Sequence, residues 1–64
     1  MKLRDIITAL RKDGWVEVRQ TGSHKQFKHS AKHGTVTVPY HGDNAEIKGA
    51  LLASISRQSG VKLK

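Results

Sequence analysis

Gln20-Thr21-Gly22-Ser23-His24-Lys25-Gln26-Phe27-Lys28, residues 20–28, is the stretch from which the fold is read. A glycine turn delivers a histidine onto the first residues of a strand anchored by Phe27, with lysines on either side of Gln26-Phe27. Histidine is the side chain whose ordinary pKa lies nearest neutrality, so it exchanges protons at cellular pH. Lysines beside it supply charge for an anion. A proton-transfer group in a basic patch is what cleavage of a phosphodiester requires. The bland alternative is a polar hairpin with an exposed histidine that has no task.

Upstream of this turn, residues 15–20 alternate, and the pattern predicts a half-buried strand with Val16 and Val18 facing one way, Glu17 and Arg19 the other. Trp15 either covers the edge of the core or offers a ring on which a base could stack; core cover is the favoured reading. Downstream, residues 24–29 form the second strand, Ser30–Gly34 a polar loop, and Thr35–Tyr40 a third strand with Val36, Val38 and Tyr40 on one face. Pro39 has no backbone donor and marks an edge. Two short connections make a three-stranded antiparallel meander.

Helices flank the meander. Leu3, Ile6, Ile7 and Leu10 fall at the i, i+3, i+4, i+7 spacing of one stripe, predicting a helix over residues 3–13 that ends at Asp13-Gly14. No strong N-cap precedes it. Asp43 followed three residues later by Glu46 reads as a capping box opening a second helix, with Ile47, Ala50, Leu51, Ser54 and Ile55 on its inner face and Gly60 as its stop. Gly49 inside that helix is expected to allow close approach of a neighbouring backbone. The expected fold is therefore α+β, in the order α-β-β-β-α, with both helices on one face of a three-stranded antiparallel sheet. Residues 1–60 form one domain, and 61–64 a short, frayed basic tail.

Composition narrows the function. The chain has 64 residues, with 12 Lys and Arg against 5 acidic residues and a net charge of +7. A chain of this size buries about 60% of its unfolded surface, so a site must lie on an open face or in a shallow groove. The charge favours a polyanion: nucleic acid, an anionic membrane surface or an acidic protein. The membrane reading is weak, because neither helix is basic and amphipathic with exposed aromatics. Absence of cysteine removes disulfide and thiolate-metal chemistry. With no membrane-length apolar run and no secretory pattern, the expected compartment is cytoplasmic. His29 and His33 lie four apart across a loop, without a carboxylate at ligand spacing, so no metal and no cofactor is expected.

Strand parity then sorts the candidate site. A register that gathers the valines with Phe27 pairs Val18 with Lys25 and Val16 with Phe27, and pairs Phe27 with Val38 or Val36. The opposite face carries Glu17, Arg19, His24, Gln26, Lys28, Thr35 and Thr37. In this register Arg19 lies across from His24, and His41 lies either across from it or about two residues away. Lys25, on the inner parity, is expected to reach the rim from the strand's end.

Several blocks together make the chain resemble the HicA family of small toxin ribonucleases over nearly its whole length. They are Asp13-Gly14-Trp15, Gly22-Ser23-His24, Val36-Thr37-Val38-Pro39-Tyr40-His41, Ile47-Lys48-Gly49 with Ile55, and Arg57-Gln58-Ser59-Gly60. The resemblance implies a double-stranded-RNA-binding-domain-like fold and metal-independent endoribonuclease activity on messenger RNA. It implies a catalytic histidine at His24, and a HicB-type antitoxin that masks the site; such a toxin serves a stress response. Ala50 stands where relatives often carry threonine, a packing position. The second helix is expected to start with Asp43-Asn44-Ala45-Glu46 and not with a lysine cluster, which disfavours duplex binding in the usual groove-spanning mode and leaves single-stranded RNA as the expected substrate.

In the mechanism these readings imply, His24 is the general base toward a ribose 2′-OH. Arg19, Lys25 and the donors of the Gly22-Ser23 turn stabilise charge on the phosphoryl oxygens. Lys28 adds charge for binding, and His41 is the candidate general acid, or else a loop residue before a helix. Two other readings stand beside it: a non-catalytic RNA-binding module using the same basic face, and a subunit that pairs with an acidic protein.

Overall fold

In the computed structural model, which describes residues 1–63, the chain runs α1 (Leu3–Asp13), β1 (Val16–Thr21), β2 (His24–Lys28), β3 (Val36–Pro39), α2 (Gly49–Ser59). The strands form one antiparallel sheet in the order β1-β2-β3. This is the α-β-β-β-α order expected from the sequence.

The apolar stripe of α1 is fully used: Leu3, Ile6, Ile7 and Leu10 are all buried. Each such side chain contributes about 1.5–3 kcal/mol on leaving water. They share one core with Trp15, Phe27, Val36, Val38, Ile47 and Ile55. The helix ends in a Schellman motif. Gly14 N–H donates to the Arg11 carbonyl and Trp15 N–H to the Leu10 carbonyl, both at 3.0 Å, with Gly14 at φ 108°. Trp15 is buried and its indole N–H donates to the Ser59 carbonyl at 3.2 Å, which establishes it as core cover. His29 packs edge-on against it, ring centroids 5.2 Å apart. His29 Nδ1 accepts the Ala31 N–H at 2.9 Å, so Nε2 carries the hydrogen and donates to the Asp13 carbonyl at 2.7 Å. His29 is thus a brace between the end of α1 and the β2–β3 loop.

Gly14 is constrained twice, by its positive φ and because a Cβ there would lie 2.7 Å from His29 Nε2. Gly14→Ala should destabilise the protein by about 1–3 kcal/mol through the backbone alone, lowering Tm by about 5–20 °C. Thermal melts of Gly14→Ala, His29→Ala and the double variant check this. The clash component should vanish when the imidazole is removed, and the backbone component should remain.

The β1 register departs from the alternation expected. Val16 pairs with Lys28 and Glu17 with Phe27; Arg19 then pairs with Gln26, Gln20 with Lys25 and Thr21 with His24, with a bulge between Glu17 and Arg19. Val18 is the extra residue. Val16 and Val18 are 61% and 54% exposed, not core. The reason is that Phe27, wholly buried, fixes the parity of β2 and puts its partner Glu17 on the core side. Trp15 fills the place the valines would have taken. Glu17 leaves the predicted outer set and holds Lys25 at 3.1 Å.

In the second hairpin Phe27 pairs with Val36, Lys25 with Val38, Gln26 with Thr37 and His24 with Pro39. The third strand is one residue shorter at each end than the predicted Thr35–Tyr40: the ladder starts where Val36 meets Phe27 and ends where Pro39 meets His24. Its edge is partly closed by Gln58, whose Oε1 accepts the Thr37 N–H at 3.3 Å.

The segment after β3 does not open a helix. Leu3 N–H donates to the Ala45 carbonyl at 2.9 Å and Arg4 N–H to the Asp43 carbonyl at 3.0 Å, so residues 43–45 cap the free amides of α1. Asp43 accepts the Tyr40 hydroxyl, and Glu46 pairs with the N-terminal ammonium while forming a β-bridge with Lys2. Both members of the expected capping box are therefore occupied elsewhere. The second helix starts at Gly49, after an extended Lys48. Gly49 has φ 66° and nothing within 4 Å of a built Cβ, so it serves the turn into the helix and not a close approach. Leu52, Ile55, Ser56 and Ser59 form the inward stripe, whereas Leu51 is 40% exposed and Ala50 is exposed. Gly60 ends α2 as expected, its N–H on the Ser56 carbonyl at 2.9 Å. Val61 and Leu63 pack against the core instead of fraying, and Ser56 Oγ donates to the Val61 carbonyl at 2.6 Å. The last residue of the predicted tail, Lys64, lies outside the described residues.

Two carboxylates at these junctions are held below their ordinary values. Asp13 is lowered first by the hydrogen bond from Lys32, at 2.6 Å, and Glu46 first by the N-terminal ammonium. A carboxylate with a depressed folded pKa contributes stability above its unfolded pKa and loses it as pH falls through the folded one. Tm should therefore hold from neutrality down toward the ordinary values of 3.8 and 4.5 and fall below them. Asp13→Asn should flatten part of that acid limb in melts recorded across pH.

Candidate functional site

The hairpin between β1 and β2 is a two-residue connection, Gly22-Ser23, because Thr21 and His24 pair directly. Gly22 has φ 58° and Ser23 a negative φ, the signature of a II′ turn whose twist matches the strands. Gln20 Nε2 donates to the Gly22 carbonyl at 3.0 Å, and the Ser23 carbonyl accepts the Tyr40 N–H. The turn is thus tied both to β1 and to the segment leaving β3.

His24 follows as the first residue of the central strand. Its side chain is exposed, on the sheet face turned away from Phe27, Val36 and Val38. Parity puts Thr21, Pro39, Gln26, Arg19, Thr37 and Lys28 on that same face. Arg19 sits diagonal to His24 and not across from it. Diagonal neighbours lie about 7–8 Å apart, within reach of an arginine. Lys28 lies farther along the same face, four residues from His24.

Two candidates are placed elsewhere. Lys25 points to the core side, its ammonium ion-paired with Glu17 and 4.6 Å from the centroid of the Tyr40 ring. It does not join His24, because adjacent strand residues project to opposite faces. His41 lies two residues beyond Pro39, the partner of His24, in the connection whose Tyr40 N–H bonds Ser23. It is exposed and makes no side-chain hydrogen bond among the described residues. Of the two registers weighed from sequence, the more distant one places it. Gly22, Ser23, His24 and Arg19 therefore come together, with Lys28 and His41 on the periphery. Among the described residues no three His, Cys, Asp or Glu side chains group as metal ligands.

Reasoning from sequence missed a second feature on the core side of the same sheet end. A cavity of about 350 Å³ opens between α1 and the sheet, lined by Arg4, Ile7, Thr8, Arg11, Lys25, Tyr40 and Asp43. The signal was available in part, since Arg4, Thr8 and Arg11 recur at i, i+4, i+7 on α1.

A family model described as the HicA toxin of bacterial toxin-antitoxin matches residues 3–61, nearly the whole chain. The chain belongs to the HicA toxin family. This HicA family member is accordingly a toxin of a toxin–antitoxin system, with an antitoxin as its partner. No curated protein matches the sequence. No helix among the described residues is long and apolar enough to cross a membrane.

Proposed function

We propose that this toxin is an endoribonuclease that cleaves single-stranded messenger RNA, with His24 as general base, and that a HicB-type antitoxin silences it in the cytoplasm by covering the face around His24. The observation that carries this reading is the position of His24. It is an exposed imidazole at the start of the central strand, beside a tight glycine turn, on a sheet face that also holds Arg19 and Lys28. Family membership supports the toxin role, and the net charge of +7 supports a polyanionic substrate.

In the proposed step the imidazole of His24 takes the proton of a ribose 2′-OH. The 2′-oxygen forms a bond to the adjacent phosphorus, and the P–O5′ bond breaks. The 5′-oxygen leaves with a proton supplied by solvent or by His41. Arg19 and the amides of the Gly22-Ser23 turn offset the charge on the phosphoryl oxygens. Lys25 has no part in this step, because its ammonium is held on the other face by Glu17. The test is induced expression of wild type and His24→Ala, scored for growth and RNA integrity. Growth arrest with RNA decay in the wild type alone supports the reading. A non-catalytic RNA-binding module would leave RNA intact in both.

A further inference from the structure

We propose that the cavity between α1 and the sheet is a phosphate subsite that holds the substrate RNA strand at a phosphodiester flanking the scissile one. This rests on the reading of His24 as the centre of an RNA-cleaving site, and assigns the cavity's ligand.

Three features of the cavity carry it. The first is its charge. Arg4, Arg11 and Lys25 line it against one carboxylate, Asp43, which already accepts the Tyr40 hydroxyl. The cations differ in how free they are. Lys25 is committed to Glu17, and Arg4 has only a 3.7 Å contact with Asp5, both more than half exposed. Arg11 has no ion-pair partner among the described residues. Two guanidiniums with uncommitted donors suit phosphate, whose oxygens match their planar fork.

The second feature is rigidity. Arg4 and Arg11 stand on one face of α1, two turns apart, with Thr8 between them. The helix is fastened below by the four buried apolar residues and capped at its start by the Asp43 and Ala45 carbonyls. Its guanidiniums are therefore presented from a fixed backbone, which limits the ordering cost of binding an anion.

The third feature is position. Lys25 is the next residue after His24, and Tyr40, the opposite wall, is bonded through its N–H to Ser23 of the catalytic turn. The cavity and the His24 face are two sides of the same sheet end. A strand laid across His24 that continues over the Ser23–Tyr40 rim arrives at Arg4 and Arg11. A phosphate there anchors the chain without touching the reacting atoms, so it raises affinity and leaves the chemical step alone.

The experiment uses the full chain as wild type, Arg4→Gln/Arg11→Gln, and a control of equal charge change, Lys12→Gln/Lys62→Gln. The probe is a 2′-O-methyl oligouridylate, which cannot be cleaved through a 2′-OH. The arginine pair should weaken its binding about tenfold or more and reduce the slope of log affinity against log salt by about 1.4, two contacts on a single strand. On cleavable RNA of the same sequence, KM should rise while kcat stays within about threefold. The proposal is overturned if the slope is unchanged, or if the control pair produces the same loss, which would make the effect diffuse charge. It is also overturned if Arg11 and Tyr40 resonances respond to a poly-glutamate peptide but not to the oligouridylate, which would assign the cavity to an acidic protein segment. Failure of the parent reading looks different: His24→Ala would still cleave, whatever the arginine pair does to binding.

Discussion

His24→Ala should lower the rate of RNA cleavage by purified protein by about 10²–10⁴-fold, the range a positioned general base contributes. Affinity for an uncleavable RNA should change little, because Arg19, Lys28 and the cavity arginines remain. The fold should survive. His24 is exposed, makes no side-chain hydrogen bond among the described residues, and fills no core space. Its partners Thr21 and Pro39 are held by backbone pairing that alanine preserves. The measurement is single-turnover cleavage beside a thermal melt and a binding isotherm for each protein. Cleavage by His24→Ala at the wild-type rate would remove His24 from the chemistry. A loss of activity accompanied by a collapsed Tm would mean that the side chain is structural. His41→Ala, by the same measurements, should have the smaller effect, since no side-chain hydrogen bond among the described residues fixes the His41 imidazole toward His24.

The fold was legible wherever a pattern repeated without interruption. The stripe of α1 and its stop at Gly14 needed only spacing and a glycine. The pairing of Phe27 with a valine of β3 followed from both being the apolar anchors of their strands. The histidine face was legible because Phe27 and His24 lie three apart and so must project to opposite sides of β2. What failed were the places where a distant contact overrides the local rule. The bulge at Val18 cannot be read from alternating residues, because the competing claim on the core comes from Trp15, whose ring is fixed by Ser59 across the molecule. Asp43 and Glu46 have the spacing of a capping box, but the Asp43 carbonyl, with that of Ala45, caps amides of the first helix, and the N-terminal ammonium takes the Glu46 carboxylate. The placement of Lys25 was half legible. Its parity was right, but the Glu17 that holds it was assigned to the other face, for the same bulge-blind reason. The cavity arginines were out of view because only packing α1 over the sheet brings residues 4 and 11 next to residues 25 and 40.

Cleavage should persist in excess EDTA, spare DNA of the same sequence, and be blocked by a 2′-O-methyl group at the scissile ribose without loss of binding. These outcomes belong to one mechanism. Activating an external water with a metal calls for several ligands held together, and the described residues offer no such group. Among the described residues no carboxylate bonds to His24, and Glu17, the acid on β1, is turned to the core side and bound to Lys25. A lone exposed imidazole suits a nucleophile that arrives already positioned, and the ribose 2′-OH is such a group, fixed by the sugar beside the phosphorus it attacks. On the proposed mechanism the site needs only a base at the 2′-oxygen and positive charge at the phosphoryl oxygens, roles assigned there to His24, Arg19 and the Gly22-Ser23 amides. DNA lacks the nucleophile, and methylation caps it while leaving the phosphates available to Arg19, Lys28, Arg4 and Arg11. The products carry the record. The upstream fragment should end in a 2′,3′-cyclic phosphate or its opened form, and the downstream fragment should begin with a 5′-hydroxyl. End-labelling with a kinase that accepts only 5′-hydroxyl ends, without prior phosphatase treatment, reads this directly. A 5′-phosphate on the downstream fragment, or activity lost in EDTA, would replace the 2′-oxygen by a metal-activated water and require ligands other than those His24 has around it.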